Sequence, residues 1–160
     1  MKPLPDEYPR SISIEWTRPK LYESVFDDGC DHDDSAHLYM ILRRYSRATP
    51  KAIYIGKTWH QCVRTRLRQK DHRLRYQRFC ESYPRQRFYV SHGIVSMDEG
   101  RLTQKRVDEI ERILIYASSL DHTENRSNIW THKVSDAYRI TNKGSRSSLP
   151  QTIFLGIVTS

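Results

Sequence analysis

The chain contains Leu38-Tyr39-Met40-Ile41-Leu42-Arg43-Arg44 and, shortly after it, Ala52-Ile53-Tyr54-Ile55-Gly56-Lys57, and these two stretches decide the fold. Alternation of side-chain character predicts one strand over His37 to Arg44 and a second over Ala52 to Gly56. The connection between them contains Thr49-Pro50, a turn signal, so the two strands are expected to form an antiparallel hairpin.

Strict alternation within these strands assigns each side chain to a face of the sheet. The apolar residues predicted to face the core are Leu38, Met40, Leu42, Ile53 and Ile55. Tyr39 and Tyr54 fall on the opposite, non-core face of adjacent strands, where their side chains can meet.

A basic helix is predicted directly after the hairpin. Thr58 and Gln61 have the spacing of a capping box, which places the helix start at Thr58. The residues expected to form its buried stripe are Val63, Leu67 and Leu74. A spacing of four residues puts one row on its exposed side, formed by His60, Arg64, Arg68 and His72.

The second half of the chain predicts a third strand, another helix and two short strands. The strand covers Arg87 to Val95, with an interruption near Gly93. The helix covers Leu102 to Ser118, and Glu111 lies beside its apolar stripe. Two short strands follow, at about Tyr138 to Thr141 and Ile153 to Val158.

These elements predict a mixed α/β (α+β) domain with a small central antiparallel sheet of about three strands flanked by helices. The core covers residues 37–130. An N-terminal arm covers residues 1–36, with a short strand over Ser11 to Trp16, and residues 131–160 form a C-terminal extension that packs on the core and carries the extra short strands. Residues 27–34 hold five aspartates and are interpreted as a solvated acidic loop.

Composition favours a polyanionic partner. The chain has 27 Lys and Arg against 19 Asp and Glu, a net charge of +8. Much of the positive charge is concentrated in one segment, at Arg64, Arg66, Arg68, Lys70, Arg73, Arg75 and Arg78. Three cysteines without a C-x-x-C pair indicate a reducing cytoplasm, and the lack of any apolar run near 18 residues predicts a soluble protein without a membrane partner.

The order of these features resembles the GIY-YIG family of nucleases. Leu38-Tyr39-Met40 is similar to the first motif of the family, without its leading glycine, and Tyr54-Ile55-Gly56 matches the second. Arg66-Leu67 resembles the arginine-leucine of the family helix, and His72 its trailing histidine. Glu111 resembles the metal-holding glutamate, and Asn125 the asparagine that follows it, with Asn128 as an alternative.

The resemblance implies a metal-dependent endonuclease that hydrolyses phosphodiester bonds of DNA. One Mg²⁺ or Mn²⁺ ion would bind at Glu111, and Tyr39 would activate or position the attacking water. The residues expected to assist Tyr39 are Tyr54, Lys57 and His60. Arg66 would hold a phosphate oxygen, with Arg64 and Arg68 as rivals, and Asn125 would brace the site.

Contacts to the DNA backbone are expected from the basic segment, at Arg64, Arg68, His72 and Arg75. A short nuclease of this kind would suit a restriction enzyme, in which a homodimer cuts both strands. Two alternatives remain open at this point: a DNA-binding module on the same scaffold without catalysis, and an interaction domain whose basic face only contacts solvent. The DNA sequence or branched structure that is recognised, and DNA against RNA, also stay open.

Overall fold

A computed structural model of the chain describes residues 10–27, 36–118 and 137–155. In chain order its elements are β1 (Arg10–Trp16), β2 (Lys20–Leu21), a 3-10 helix (Glu23–Phe26), β3 (Leu38–Arg44), β4 (Lys51–Lys57), α1 (Val63–Leu67), α2 (Lys70–Ser82), β5 (Arg87–Met97), α3 (Gln104–Ser118), β6 (Tyr138–Gly144) and β7 (Thr152–Leu155).

The strands form one mixed sheet of seven strands, and the prediction of a small antiparallel sheet of about three strands is wrong. Their order is β4-β3-β5-β1-β6-β7, and β2 also pairs with β5. The three expected strands, β3, β4 and β5, are antiparallel neighbours. Beyond them β1 pairs antiparallel with β5 and parallel with β6, so residues from both ends of the chain extend the sheet.

The sheet is larger because the inward side chains of β1 need a covered face. Ile12, Ile14 and Trp16 are all buried and belong to the same apolar cluster as Tyr138 and Ile140 of β6. Exposing such residues on a separate arm would cost roughly 1.5–3 kcal/mol for each large side chain. Alternation correctly predicts the strand β1, but it does not reveal which strands β1 pairs with.

One residue of the β3–β4 hairpin departs from simple alternation. Ile41 pairs with Tyr54 and Leu42 with Ala52, so Ile53 is an additional residue in a β-bulge. The bulge turns Ile53 to the same side as Tyr54, whereas Ile55 faces the other side of the sheet. The predicted common face of Ile53 and Ile55 is therefore wrong.

Both faces of this end of the sheet are covered, so the face that carries the tyrosines is not a non-core face as predicted. On one side α3 packs against the strands through the buried residues Val107, Ile110 and Leu114. On the other side α1, α2 and the 3-10 helix enclose a second cluster that contains Tyr39 and Tyr54. The two tyrosine rings do meet, with centroids 6.1 Å apart.

The basic segment forms two helices instead of the one predicted to begin at Thr58. Thr58 is buried and donates a hydrogen bond from Oγ1 to Ala36 O, so it extends the hairpin and caps no helix. Gln69 has extended backbone torsion angles and separates α1 from α2. The break rotates α2, and as a result His72 is buried while Leu74, predicted to face inward, is 44 % exposed.

The predicted helix over residues 102–118 is confirmed as α3, although its regular part begins at Gln104. Its apolar stripe is where periodicity places it, and Glu111 lies at the edge of that stripe. Over residues 10–27, 36–118 and 137–155, no helix has both the length and the apolar character that a membrane crossing requires.

Gly56 is explained by its pairing partner. Gly56 pairs with Tyr39, which is fully buried, and the Tyr39 ring lies directly over the Gly56 backbone. A Cβ atom at position 56 would overlap the Cζ and Oη atoms of Tyr39. The glycine of the Tyr-Ile-Gly motif is therefore needed because of the tyrosine on the neighbouring strand.

Gly56→Ala should destabilise the protein by about 1–3 kcal/mol, the usual cost of overpacking a filled core. Urea denaturation of the variant and the wild type measures the difference. The matched control is the same substitution in a Tyr39→Leu background, where the overlapping atoms are absent. Equal losses in the two backgrounds would show that the Tyr39 ring is not what requires glycine.

Candidate active site

Tyr39, Tyr54 and His72 form a buried cluster on the side of the sheet covered by α1 and α2. Their exposed fractions are 0 %, 8 % and 2 %. The His72 ring stands edge-on to both phenol rings, with centroids 6.0 Å from Tyr39 and 6.3 Å from Tyr54. The Tyr39 hydroxyl lies 3.4 Å from His72 Nδ1. His72, predicted to lie in an exposed row that contacts DNA, is instead part of this cluster.

Burial changes the acid–base properties of all three side chains. It raises the pKa of Tyr39 well above the ordinary value of a phenol, so Tyr39 is a neutral hydrogen-bond donor at neutral pH. The pKa of Tyr54 is also raised by burial, although the Arg75 guanidinium works against this. For His72, burial together with Arg75 and Arg66 lowers the pKa to about 4. His72 is therefore uncharged at neutral pH.

Two arginines border the cluster. Arg75 Nη1 lies 2.7 Å from His72 Nδ1, and its guanidinium carbon is 4.5 Å from the centre of the Tyr54 ring. Arg66 donates a hydrogen bond to Gln69 Oε1, and its Nη2 is 3.8 Å from Asp71 Oδ2. Arg66 is close enough to lower the pKa of both tyrosines. Positive charge therefore lies beside the phenols on this side of the sheet.

A cluster of charged side chains lies on the opposite face of β4, against α3. Lys57 Nζ is 2.7 Å from Asp108 Oδ1 and 3.3 Å from Glu111 Oε2. Burial lowers the pKa of Lys57, but the ion pairs outweigh it and leave the pKa raised. The pKa of Glu111 is raised by burial, with Lys57 opposing the rise. Glu111 is only 8 % exposed, so its charge is stabilised chiefly by this lysine.

The edge strand β4 positions both the tyrosine–histidine cluster and the cluster of charged side chains. β4 is the last strand in the order and pairs, among the described strands, with β3. Tyr54 lies on one of its faces and Lys57 on the other. The charge of Glu111 still contributes to raising the pKa of Tyr54, so the two sides interact electrostatically. The candidate site therefore extends around the edge of β4.

Other predicted site residues lie elsewhere. His60 is exposed in the turn before α1, has a positive φ of 54° and contacts the Trp59 ring. Arg68 is exposed, with its guanidinium 5.7 Å from the Phe26 ring. Arg64, on α1, is partly buried. The structure does not bring His60 or Arg68 into contact with the tyrosine cluster. Asn125 and the alternative Asn128 lie outside the described residues.

The carboxylates of α3 are a suitable donor set for Mg²⁺ or Mn²⁺. Asp108 and Glu111 are one helical turn apart, and both already contact the same cationic nitrogen, that of Lys57. Hard oxygen ligands are the ones these ions prefer, and Mg²⁺ completes its shell with water and phosphate oxygens. Within the described residues, no group of three or more His, Cys, Asp or Glu side chains lies in metal-binding geometry.

A cavity of about 500 Å³ lies at the C-terminal end of α2, apart from this site. Its walls come from β2, the 3-10 helix, α2 and the start of β5, at Leu21, Glu23, Tyr76, Cys80, Tyr83, Arg85, Gln86, Arg87 and Phe88. None of the predicted site residues lines it. The candidate site at the edge of the sheet is therefore separate from this cavity.

Two residues of the site were missed in the sequence. Asp108 precedes Glu111 by three positions, a spacing that places both carboxylates on one face of a helix. The sequence therefore contained the signal that identifies Asp108. Asp71, 3.6 Å from His72 Nε2, had no comparable signal, because its role depends on the rotation of α2 after Gln69.

Comparison of the chain with protein-family models, with curated proteins and with solved structures gave no match.

Glu111→Gln should be at least as stable as the wild type at pH 7. A raised pKa means that the folded protein holds the Glu111 proton more tightly than the unfolded chain, so protonation stabilises the fold, and this stabilisation is lost as pH rises above the ordinary value of 4.5. Each unit of such a shift corresponds to about 1.4 kcal/mol at neutral pH.

Urea denaturation at pH 5 and pH 7 measures this effect, with Glu81→Gln on the exposed side of α2 as the matched control. The advantage of Glu111→Gln should be larger at pH 7 than at pH 5. A clear loss of stability at pH 7 would show that the ion pair with Lys57 outweighs the burial of the carboxylate.

Proposed function

We propose that this protein is a metal-dependent DNA endonuclease with a GIY-YIG-type active site at the edge of its sheet. The observation that carries the proposal is the position of Glu111. Glu111 is 8 % exposed, its carboxylate contacts the same Lys57 nitrogen as that of Asp108, and its charge interacts electrostatically with Tyr54. Burying such a charge costs folding free energy, and groups of this kind with perturbed pKa values are concentrated at functional sites.

The order of the elements supports the same proposal. β3 carries Tyr39, β4 carries Tyr54 and Gly56, the helices that follow are basic, and α3 carries Glu111. This is the order on which the resemblance to the GIY-YIG nucleases is based. Further support comes from Gly56, because its lack of a Cβ is what lets the two motif tyrosines pack together.

In the proposed reaction a water oxygen attacks the scissile phosphorus, the bond to the leaving oxygen breaks, and the products are a phosphate monoester and a free hydroxyl. Tyr54, the less buried of the two phenols, would orient the water, which reverses the roles that the resemblance implies for the two tyrosines. Tyr39, which is fully buried, would hold the Tyr54 ring in position. Arg66 would stabilise the charge that builds on the phosphate oxygens. Lys57 would neutralise the carboxylates until substrate binds.

Asp108 and Glu111 would hold the metal ion. A bound Mg²⁺ or Mn²⁺ supplies Lewis-acid stabilisation of the phosphate and of the leaving oxygen. These two carboxylates already stabilise a cation, the Lys57 ammonium, which supports their assignment as the ligands.

DNA is proposed as the substrate because basic residues near the site are exposed to solvent, where they can contact phosphates. Arg68 and Lys70 are exposed at the junction of the two helices that cover the tyrosine cluster. Cations in such positions bind phosphates and release counterions, which provides affinity without sequence preference. Cutting both strands of a duplex would need two such sites, so we propose a homodimer on DNA.

The cytoplasm is the compartment we propose for this activity. Cys62 and Cys80, the cysteines within the described residues, are both free thiols. Free thiols persist in a reducing environment, where DNA is also accessible.

A second candidate is a DNA-binding module on this scaffold that does not cleave. The observation that favours it is Lys57, whose ammonium nitrogen lies within 3.3 Å of both carboxylates where a divalent ion would bind. A lysine fixed in that position would exclude the ion. This candidate predicts salt-sensitive DNA binding that neither metal nor EDTA changes.

Incubation with supercoiled plasmid tests the proposal, with Mg²⁺, Mn²⁺ or EDTA in parallel. The wild type should nick or linearise the plasmid only with metal, and Glu111→Gln should lower the rate at least about 100-fold through loss of a metal ligand. Glu81→Gln, an exposed substitution of the same kind on α2, should cut like the wild type.

DNA affinity measured in EDTA for the same three proteins separates the two candidates. Cleavage lost in Glu111→Gln with unchanged affinity would support the nuclease. Equal binding without cleavage by any of the three proteins would support the binding module and overturn the proposed activity.

A further inference from the structure

Arg75 contacts two members of the tyrosine–histidine cluster at once. Its Nη1 lies 2.7 Å from His72 Nδ1, and its guanidinium carbon is 4.5 Å from the centre of the Tyr54 ring. The first contact is a hydrogen bond, and the second has the geometry of a cation–π interaction. One cation therefore fixes the positions of two rings that come from different elements, α2 and β4.

The contact with Arg75 determines the tautomer of His72. An arginine side chain only donates hydrogen bonds, so His72 Nδ1 must carry a lone pair to accept one. The His72 proton is then on Nε2, which lies 3.6 Å from the Asp71 carboxylate. The Tyr39 hydroxyl, 3.4 Å from Nδ1, also faces this acceptor nitrogen.

The groups around His72 favour its neutral form. Those that face it come from β3, β4, α1 and α2, and they are Tyr39, Tyr54, Arg66, Asp71 and Arg75. Two of them are cations, and the single carboxylate, Asp71, is largely exposed. Burial and the two arginines together place the pKa of His72 at about 4.

We propose that Arg75 is a positioning residue of the candidate active site, which holds His72 as the neutral Nε2–H tautomer and fixes the Tyr54 ring. His72 Nδ1 is thereby kept as a hydrogen-bond acceptor beside the Tyr39 phenol. The catalytic part of this role rests on the proposed nuclease function. It differs from the prediction that His72 and Arg75 contact the DNA backbone.

The consequence is a specific pH dependence. With Arg75 present, His72 stays neutral from pH 5 upwards, so cleavage should not follow an ionisation of this histidine. Burial and Arg66 still lower the pKa of His72 when the Arg75 cation is removed, but the total effect is smaller, so the pKa rises from about 4. In acid the imidazole then becomes charged and Nδ1 no longer accepts a hydrogen bond, so the rate should fall.

The experiment compares the full-length wild type with Arg75→Gln and Arg75→Lys. Arg73→Gln is the matched control, since Arg73 is an exposed arginine on the same helix. Histidine ring signals are followed by NMR from pH 4 to 8, and His72→Gln assigns the signal of His72.

Arg75→Gln should raise the His72 midpoint by about one pH unit, to about 5, and Arg75→Lys and Arg73→Gln should not. In cleavage assays the ratio of kcat at pH 7.5 to kcat at pH 5.0 should rise about twofold in Arg75→Gln, with KM for DNA little changed. A purely structural role of Arg75 would not move this ratio.

The same His72 midpoint in the wild type and in Arg75→Gln would overturn the inference, as would an equal shift in Arg73→Gln. The NMR measurement does not depend on cleavage. If the midpoint shifts as expected but the wild type does not cut DNA, the proposed function fails while the control of His72 by Arg75 stands. A shifted midpoint in an active enzyme with an unchanged pH profile would overturn the positioning role.

Discussion

The contact between the Tyr39 ring and the Gly56 backbone is the constraint on which the rest of the site depends. Gly56 pairs with Tyr39 across the hairpin, and only a residue without Cβ leaves room for the ring. Tyr54 is two residues before Gly56 in the same strand and so lies on the same side of the sheet, where its ring meets that of Tyr39. His72 of α2 packs against both rings. The positions of the two tyrosines on β3 and β4 therefore help to determine where α2 lies.

The edge strand β4 separates two environments of opposite chemistry. On one face uncharged phenols and a neutral imidazole are bordered by arginines. On the other, two carboxylates of α3 share the Lys57 ammonium. Keeping the Glu111 carboxylate buried costs stability at neutral pH, and the ion pair with Lys57 offsets that cost only in part. This cost is one support for the proposed role of Glu111 in binding a metal ion.

Much of this fold could be predicted from local patterns, and the rest depended on distant contacts. Alternation identified the hairpin and the strand at residues 11–16, and the helical period identified α3. The partners of β1 could not be predicted, because its parallel neighbour β6 follows more than 100 residues later and parallel pairing leaves no local signal. The result was a sheet that is much larger than expected.

The site was predictable only where its residues belong to a periodic element. Tyr39, Tyr54 and Glu111 follow from strand and helix registers, whereas His72 does not. The segment around Gln69 is polar throughout, so periodicity gave no reason to break the helix, and tertiary packing of His72 against the tyrosines decided the outcome. The bulge at Ile53 could not be predicted either. A residue inserted into a strand leaves no signal in the sequence that distinguishes it from its regularly paired neighbours.

The proposed activity depends above all on a divalent ion bound by the carboxylates beside β4, next to the motif tyrosines. Mn²⁺ broadens NMR signals of nearby nuclei, so a titration of the full-length protein with Mn²⁺ shows whether an ion binds there. Broadening should appear first at Lys57, Asp108 and Glu111, with Tyr54 also affected, and Glu111→Gln should abolish it. Broadening confined to the acidic residues 27–34, or unchanged in Glu111→Gln, would show that these carboxylates do not bind the ion.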